Sequence, residues 1–196
     1  MFASGVQGER LRLFVALDLP QHVREALAAW RSEVVRRIPE LRSVAHDALH
    51  VTLCFLGSQP AGEEKEIAAA CETALGGARS PQLGLDLGLW LPPRRPGVLA
   101  IRLDDSSGAL IHIQRRVASA LFDGGWYRPE KHPFLPHVTV ARVPARGRVR
   151  VIELPEVSPL RFAASAVTLY RSRLQRAGAR YEPLASVLLS RREPGD

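Results

Sequence analysis

Two short stretches carry the residues of this chain best suited to chemistry: LHVTLCFLG at residues 49–57 and PHVTVARV at residues 136–143. Each sets a histidine two positions ahead of a threonine inside an apolar run. With six histidines, four threonines and 46% apolar residues, the pattern histidine-apolar-threonine-apolar is expected about 0.03 times by chance. Two occurrences therefore need a cause. Along a strand, residues i and i+2 leave the same face, so His50 and Thr52 project together, as do His137 and Thr139. By the same parity Val51, Leu53 and Phe55 pack behind the first pair, and Val138 and Val140 behind the second.

If the two strands face one groove, it receives two imidazoles and two hydroxyls from rigid elements. That set suits phosphoryl transfer. Histidine's ordinary pKa of about 6.5 lets one ring accept a proton while the other donates one near neutral pH. Two rings close together resist being charged at once, which separates base from acid. The threonine hydroxyls donate hydrogen bonds to non-bridging phosphate oxygens and stabilise the charge that develops there. Plain packing of two core histidines explains one motif but not its repetition. A zinc site needs three or four ligands, and the sequence has no HxH, HExxH, CxxC or DxD cluster to complete one. It also lacks GxSxG, a GxxxxGK phosphate loop and a KxDG motif, so the expected chemistry uses neither metal nor cofactor.

The elements that must position these residues follow from periodicity and breakers. RLRLFVALDLP reads as a strand ended by Pro20, followed by a helix over 20–37 with Val23, Leu27, Trp30 and Val34 inward. The first histidine strand, 49–56, ends at Gly57, and a helix over 61–75 turns Ile67, Ala70, Cys71 and Ala74 inward. Strands are expected at 82–90 and 97–103 around the turn LPPRRPG, then a helix capped by Ser106 or Ser107 with Leu110, Ile113, Val117 and Leu121 on one face. The loop DGGWYRPEKHPFLP leads into the second histidine strand, and strands near 160–171 and 180–190 close the chain. This order, with no long linker, predicts an α+β fold of two sheets over residues 1–196, a single domain of two related halves.

Composition is that of a soluble globular chain able to bury its own core. Cys54 and Cys71 sit in apolar contexts without CxxC spacing and read as reduced, which favours the cytoplasm; no signal-peptide pattern or membrane-length apolar run is evident. The net charge of +7 comes from 25 arginines and only two lysines. Guanidinium groups suit phosphate, although an arginine bias also arises from genome composition. Arg94, Arg95, Arg146, Arg148 and Arg150 fall in loops, suited to backbone phosphates or simply solvated. Phe134, Trp126 and Tyr127 lie in the loop before His137, where they either stack a base or anchor the loop.

With these motifs in hand, the chain resembles the 2H phosphoesterases, and within them the RNA 2′,3′-cyclic phosphodiesterases also known as 2′-5′ RNA ligases. The resemblance covers most of the chain: RLFVALDLP, LHVTLCFLG, PHVTVARV and SRLQRAGARYEPL at 172–184. It implies a bilobal α+β fold with the histidines meeting in a central cleft, and hydrolysis of a terminal 2′,3′-cyclic phosphate to a 2′-phosphate. His137 would activate water, His50 would protonate the leaving 3′ oxygen, and Thr52 and Thr139 would grip the phosphate. It implies too that an RNA 5′-hydroxyl can replace water to form a 2′-5′ linkage. Relatives often carry a basic side chain just before the second histidine; Phe134 and Leu135 stand there in this chain, leaving His132, Lys131 and Arg128 as substitutes. Arg142 follows the second motif, but strand parity aims it away from His137 unless a bulge intervenes. The expected partner is RNA ending in a cyclic phosphate or a small cyclic nucleotide, with no membrane, for a monomer. Two other readings stand beside it: an esterase for a small cyclic nucleotide or 2′-5′ oligonucleotide, and an RNA-binding module without turnover.

Overall fold

The apolar run Leu11–Leu17 forms strand β1 (Arg10–Asp18). Pro20 then opens helix α1 (Gln21–Arg37), its carbonyl accepting from the amides of Val23 and Arg24 at 3.1 Å. The helix buries Val23, Leu27, Trp30 and Val34, the stripe its periodicity predicts. The computed structural model describes residues 9–144, 147–175 and 178–190. After α1 come β2 (Arg42–Ser43), a 3₁₀ turn (His46–Ala48), β3 (His50–Pro60), α2 (Glu64–Leu75), β4 (Gln82–Leu91) and β5 (Val98–Asp104). Helix α3 (Ala109–Asp123) precedes β6 (His137–Arg142), β7 (Arg161–Ala163), β8 (Ala166–Gln175) and β9 (Gly178–Leu188).

The strands form two sheets, ordered β3-β1-β8-β9 and β2-β6-β5-β4-β7, with every strand pair antiparallel. Each sheet holds one histidine motif, on β3 and on β6, and these two strands touch. Helix α3 packs on β3, α2 on β9 and α1 on β6. The helices cover the faces carrying Val51, Leu53, Val138 and Val140, each no more than 3% exposed, and leave the histidine faces as the two walls of a cleft. In the second sheet α1 sits so close that a Cβ on Gly88 would lie 2.6 Å from the Trp30 ring, so only glycine fits there.

Four expectations differ from the structure in detail. Gly57 does not end the first histidine strand; with φ of 69° it sits at a bulge, and β3 continues to Pro60. Helix α3 is capped chiefly by the Asp105 carboxylate, which accepts from the amides of Leu110 and Ile111 at 3.2 and 2.9 Å, while Ser107 Oγ takes only the Ala109 amide at 3.3 Å. The strand expected at 160–171 is two, because the chain changes sheets at Ala164–Ser165, from β7 beside β4 to β8 beside β1. In α2 the buried positions are Ile67, Cys71 and Leu75, without Ala70 or Ala74. Both cysteines are free and buried, and burial pushes each thiol up to about 12.

Candidate active site

The two histidine strands share an irregularity that decides which side chains enter the cleft. Opposite β1, Thr52 pairs with Ala16 and Cys54 with Val15, so Leu53 is an extra residue; opposite β5, Thr139 pairs with Ala100 and Ala141 with Leu99, so Val140 is extra. Each bulge resets side-chain parity. Leu53 and Cys54 are buried in succession, as are Val140 and Ala141, and the next residues, Phe55 and Arg142, return to the histidine face. Phe55 therefore does not pack behind the motif as simple alternation predicts. Its ring is 42% exposed, with the Arg12 guanidinium 4.5 Å above it. The bulge that Arg142 required is present, and its positive charge acts on His50 across the cleft.

His50 is held on three sides. Its Nδ1 lies 2.8 Å from the Ala48 carbonyl, which can only accept, so Nδ1 carries the hydrogen and Nε2 faces the Thr52 hydroxyl at 3.1 Å. Phe14 stacks on the imidazole at 4.9 Å and Tyr181 meets it edge-on at 5.2 Å. Beneath Phe14, Tyr170 stacks at 5.3 Å and donates its hydroxyl to Asp18 at 2.7 Å; the same carboxylate accepts from Thr168 Oγ1 at 2.7 Å. Burial and the Asp18 carboxylate push the Tyr170 phenol up, so it stays a donor.

Burial, then the charges of Arg142 and His137, pull His50 down to about 4 against the opposing Ala48 hydrogen bond. The free ring is therefore neutral at pH 7. An unfolded histidine titrates near 6.5, so between the two values the unfolded chain binds more protons, and stability rises with pH through that window. The stabilisation is complete above pH ~6.5 and falls by about 3 kcal/mol on acidification to pH 4. Urea unfolding of the wild type and His50→Asn across pH 4–7 should show the wild type losing that much more; parallel curves would contradict it.

His137 repeats the anchoring. Its Nδ1 lies 2.8 Å from the Leu135 carbonyl, again two residues earlier, which leaves Nε2 for the cleft. Pro136 extends the ladder on its own carbonyl, which takes the Leu103 amide at 2.9 Å. Both imidazoles thus present the same nitrogen.

A cavity of about 870 Å³ opens beside this pair, lined by Thr52 and His137. Its remaining walls are Leu91–Pro93, α3 at Gln114, Arg115 and Ala118, and the loop leading into β6. Of the candidates in that loop, Phe134 and His132 line the cavity, whereas Arg128 and Lys131 are exposed and not among its lining residues. Tyr127 is 6% exposed at the cavity wall, and Trp126 is anchored by Glu63 at 2.6 Å, so loop anchoring accounts for both. Arg94, Arg95 and Arg148 line a separate groove. Arg146, and residues 176–177 within SRLQRAGARYEPL, lie outside the described residues. Phe14, Phe55, Asp18, Tyr170 and Tyr181 escaped sequence reasoning. Only Phe55 left a signal: it occupies the place in HVTLCF that Arg142 occupies in HVTVAR.

A family model described as the 2′-5′ RNA ligase superfamily matches residues 19–176. The chain belongs to this superfamily. It is 34% identical over 180 residues to the RNA 2′,3′-cyclic phosphodiesterase of Escherichia coli K12, covering 90% of this chain and 95% of that protein. The protein of the same name from Aeropyrum pernix is 28% identical over 171 residues, with 82% and 93% covered. Among solved structures, E. coli LigT complexed with 3′-AMP matches with a TM-score of 0.77 and 31% identity over 93% of this chain and 99% of that one. The superfamily's two-sheet 2H phosphoesterase fold is the architecture described above, with one histidine strand on each wall of the cleft.

Proposed function

We propose that this member of the superfamily hydrolyses the 2′,3′-cyclic phosphate at RNA 3′ ends to a 2′-phosphate. The observation that carries the reading is the matched pair of imidazoles on touching strands, each with Nδ1 tied to a carbonyl two residues earlier, which leaves Nε2 as the nitrogen free of the backbone. Relatives named as RNA 2′,3′-cyclic phosphodiesterases, similar over most of their length, supply the substrate class.

In the proposed reaction His137 Nε2 takes a proton from water as its oxygen attacks phosphorus, the P–O3′ bond breaks, and His50 Nε2 delivers a proton to O3′. Thr52, Thr139 and Arg142 hold the non-bridging oxygens. The neutrality of free His50 has a consequence for this step. A bound phosphate anion favours the charged ring, so the substrate itself brings the acid to its protonated form. Protonation also turns Nε2 into a donor, which releases the Thr52 hydroxyl toward the phosphate. The proton transfers and charge stabilisation are supplied by side chains alone. Phe55, exposed beside Arg12, offers a base a stacking surface.

The test is an oligonucleotide ending in a 2′,3′-cyclic phosphate, assayed in EDTA beside the cyclic mononucleotide over a salt series. Ring opening to the 2′-phosphate is expected, with a preference for the oligonucleotide that fades as salt rises. Opening to a 3′-phosphate, or no turnover on either substrate, would reject the reading. Equal rates on both would identify a nucleotide enzyme instead.

A further inference from the structure

The wall that carries His137 continues across the second sheet. On β5, Arg102 stands directly opposite His137. The next pair along, Leu103 and Pro136, is the hydrogen-bonded one, the Leu103 amide reaching the Pro136 carbonyl at 2.9 Å. Arg102 and His137 are therefore a non-hydrogen-bonded pair, whose Cα atoms lie only about 4.5 Å apart and whose side chains leave the same face close together. Burial agrees: Ile101 and Leu103 are 0% and 3% exposed in the core, while 42% of the Arg102 side chain stays open.

Strand β4 aims this guanidinium. Between the pairs Leu85–Leu103 and Gly88–Ile101, two residues of β4, Asp86 and Leu87, oppose the single Arg102. The Asp86 carboxylate accepts from Arg102 Nε, so a row of imidazole, guanidinium and carboxylate crosses three strands. An ion pair this open to solvent adds little stability, but it fixes the planar fork. Arginine has five N–H donors and Asp86 takes one; those on Nη1 and Nη2 have no protein partner among the described residues.

We propose that Arg102 is an anion-binding residue of the cleft that favours the 2′-phosphomonoester over the cyclic diester. The inference rests on the acid-base reading and deepens it. In that reaction the water oxygen reaches phosphorus from the His137 side and remains as an oxygen of the 2′-phosphate. The cyclic diester carries one negative charge, whereas a monoester, with a second ionisation near pH 6, carries about 1.5 to 2 at pH 7. The added charge falls on the wall where the free end of Arg102 stands, and the guanidinium fork matches two phosphate oxygens. Arg142, opposite Val98 at the other end of β6, lies beyond Thr139 and serves the oxygens that both molecules share.

The experiment compares product with substrate. Adenosine 2′-phosphate is titrated as a competitive inhibitor of ring opening, and KM for a cyclic-phosphate-ended oligonucleotide is measured beside it. Losing a hydrogen-bonded charge on an anion costs about tenfold or more in affinity. Arg102→Met should therefore raise the inhibition constant at least ~tenfold, with KM within about threefold and the urea midpoint near wild type. Arg102→Lys, which keeps the charge, should recover part of the loss. Asp86→Asn should cost less than Arg102→Met, since the charge stays and only its aim loosens. If the methionine variant does not fold, Arg102→Gln, neutral but still able to donate to Asp86, is held to the same tenfold. An unchanged inhibition constant would overturn the proposal. So would an inhibition constant and KM that rise in step, because Arg102 would then hold the oxygens common to both molecules. A wild type that opens no cyclic phosphate fails the acid-base reading itself, whereas ring opening with inhibition indifferent to residue 102 fails only this inference.

Discussion

Replacing His137 by alanine is expected to lower kcat/KM on cyclic-phosphate RNA by at least ~100-fold, the usual cost of losing a general acid or base, and His50→Ala should do the same. The double variant should be little worse than either single one, since in the proposed reaction the two rings act on one phosphorus as a unit. The substitutions should differ in stability. His50 is packed between Phe14 and Tyr181, whereas His137 touches the protein chiefly through its Nδ1 bond to Leu135. Urea midpoints should therefore fall for His50→Ala and stay near wild type for His137→Ala. Retention of oligonucleotide binding by both variants, with the wild type itself at background hydrolysis, would instead describe an RNA-binding module. Loss of activity in His137→Ala with an intact fold excludes that description.

Much of this site was legible because strand parity is a short-range rule. His50 and Thr52 share a face by backbone geometry alone, and an identical triplet at His137 marked a second wall. Helix α1 was equally readable, since Val23, Leu27, Trp30 and Val34 need only the helical period to find the core. What stayed hidden depends on pairing between distant strands. The Leu53 and Val140 bulges appear only when β3 meets β1 and β6 meets β5, and they decide where Phe55 and Arg142 point. Likewise the support behind His50 comes from β1, β8 and β9: Phe14 lies more than a hundred residues of chain before Tyr170 and Tyr181, and all three read locally as ordinary strand aromatics. The sheet change at Ala164–Ser165 was invisible for the same reason: no breaker interrupts the run, and only the competing partners β4 and β1 divide it.

Arg142→Leu is expected to lower kcat by about 10²–10³, by analogy with the range seen when one preorganised donor to a developing oxyanion is removed. The same substitution carries a second, independent signature. Arg142's charge is one of the causes that hold His50 near 4, so removing it should move the His50 titration upward. Histidine resonances followed by NMR through pH 3–8 read that shift directly in the free protein, without substrate. Arg142→Lys separates charge from shape. A lysine keeps the positive field, so His50 should stay low, but it lacks the planar fork that grips two phosphate oxygens, so only part of the activity returns. A loss of activity with no movement of His50 would place Arg142 too far from the imidazole to act on the same phosphate. Wild-type activity in Arg142→Leu would return this arginine to the solvated surface that strand parity without a bulge assigns it.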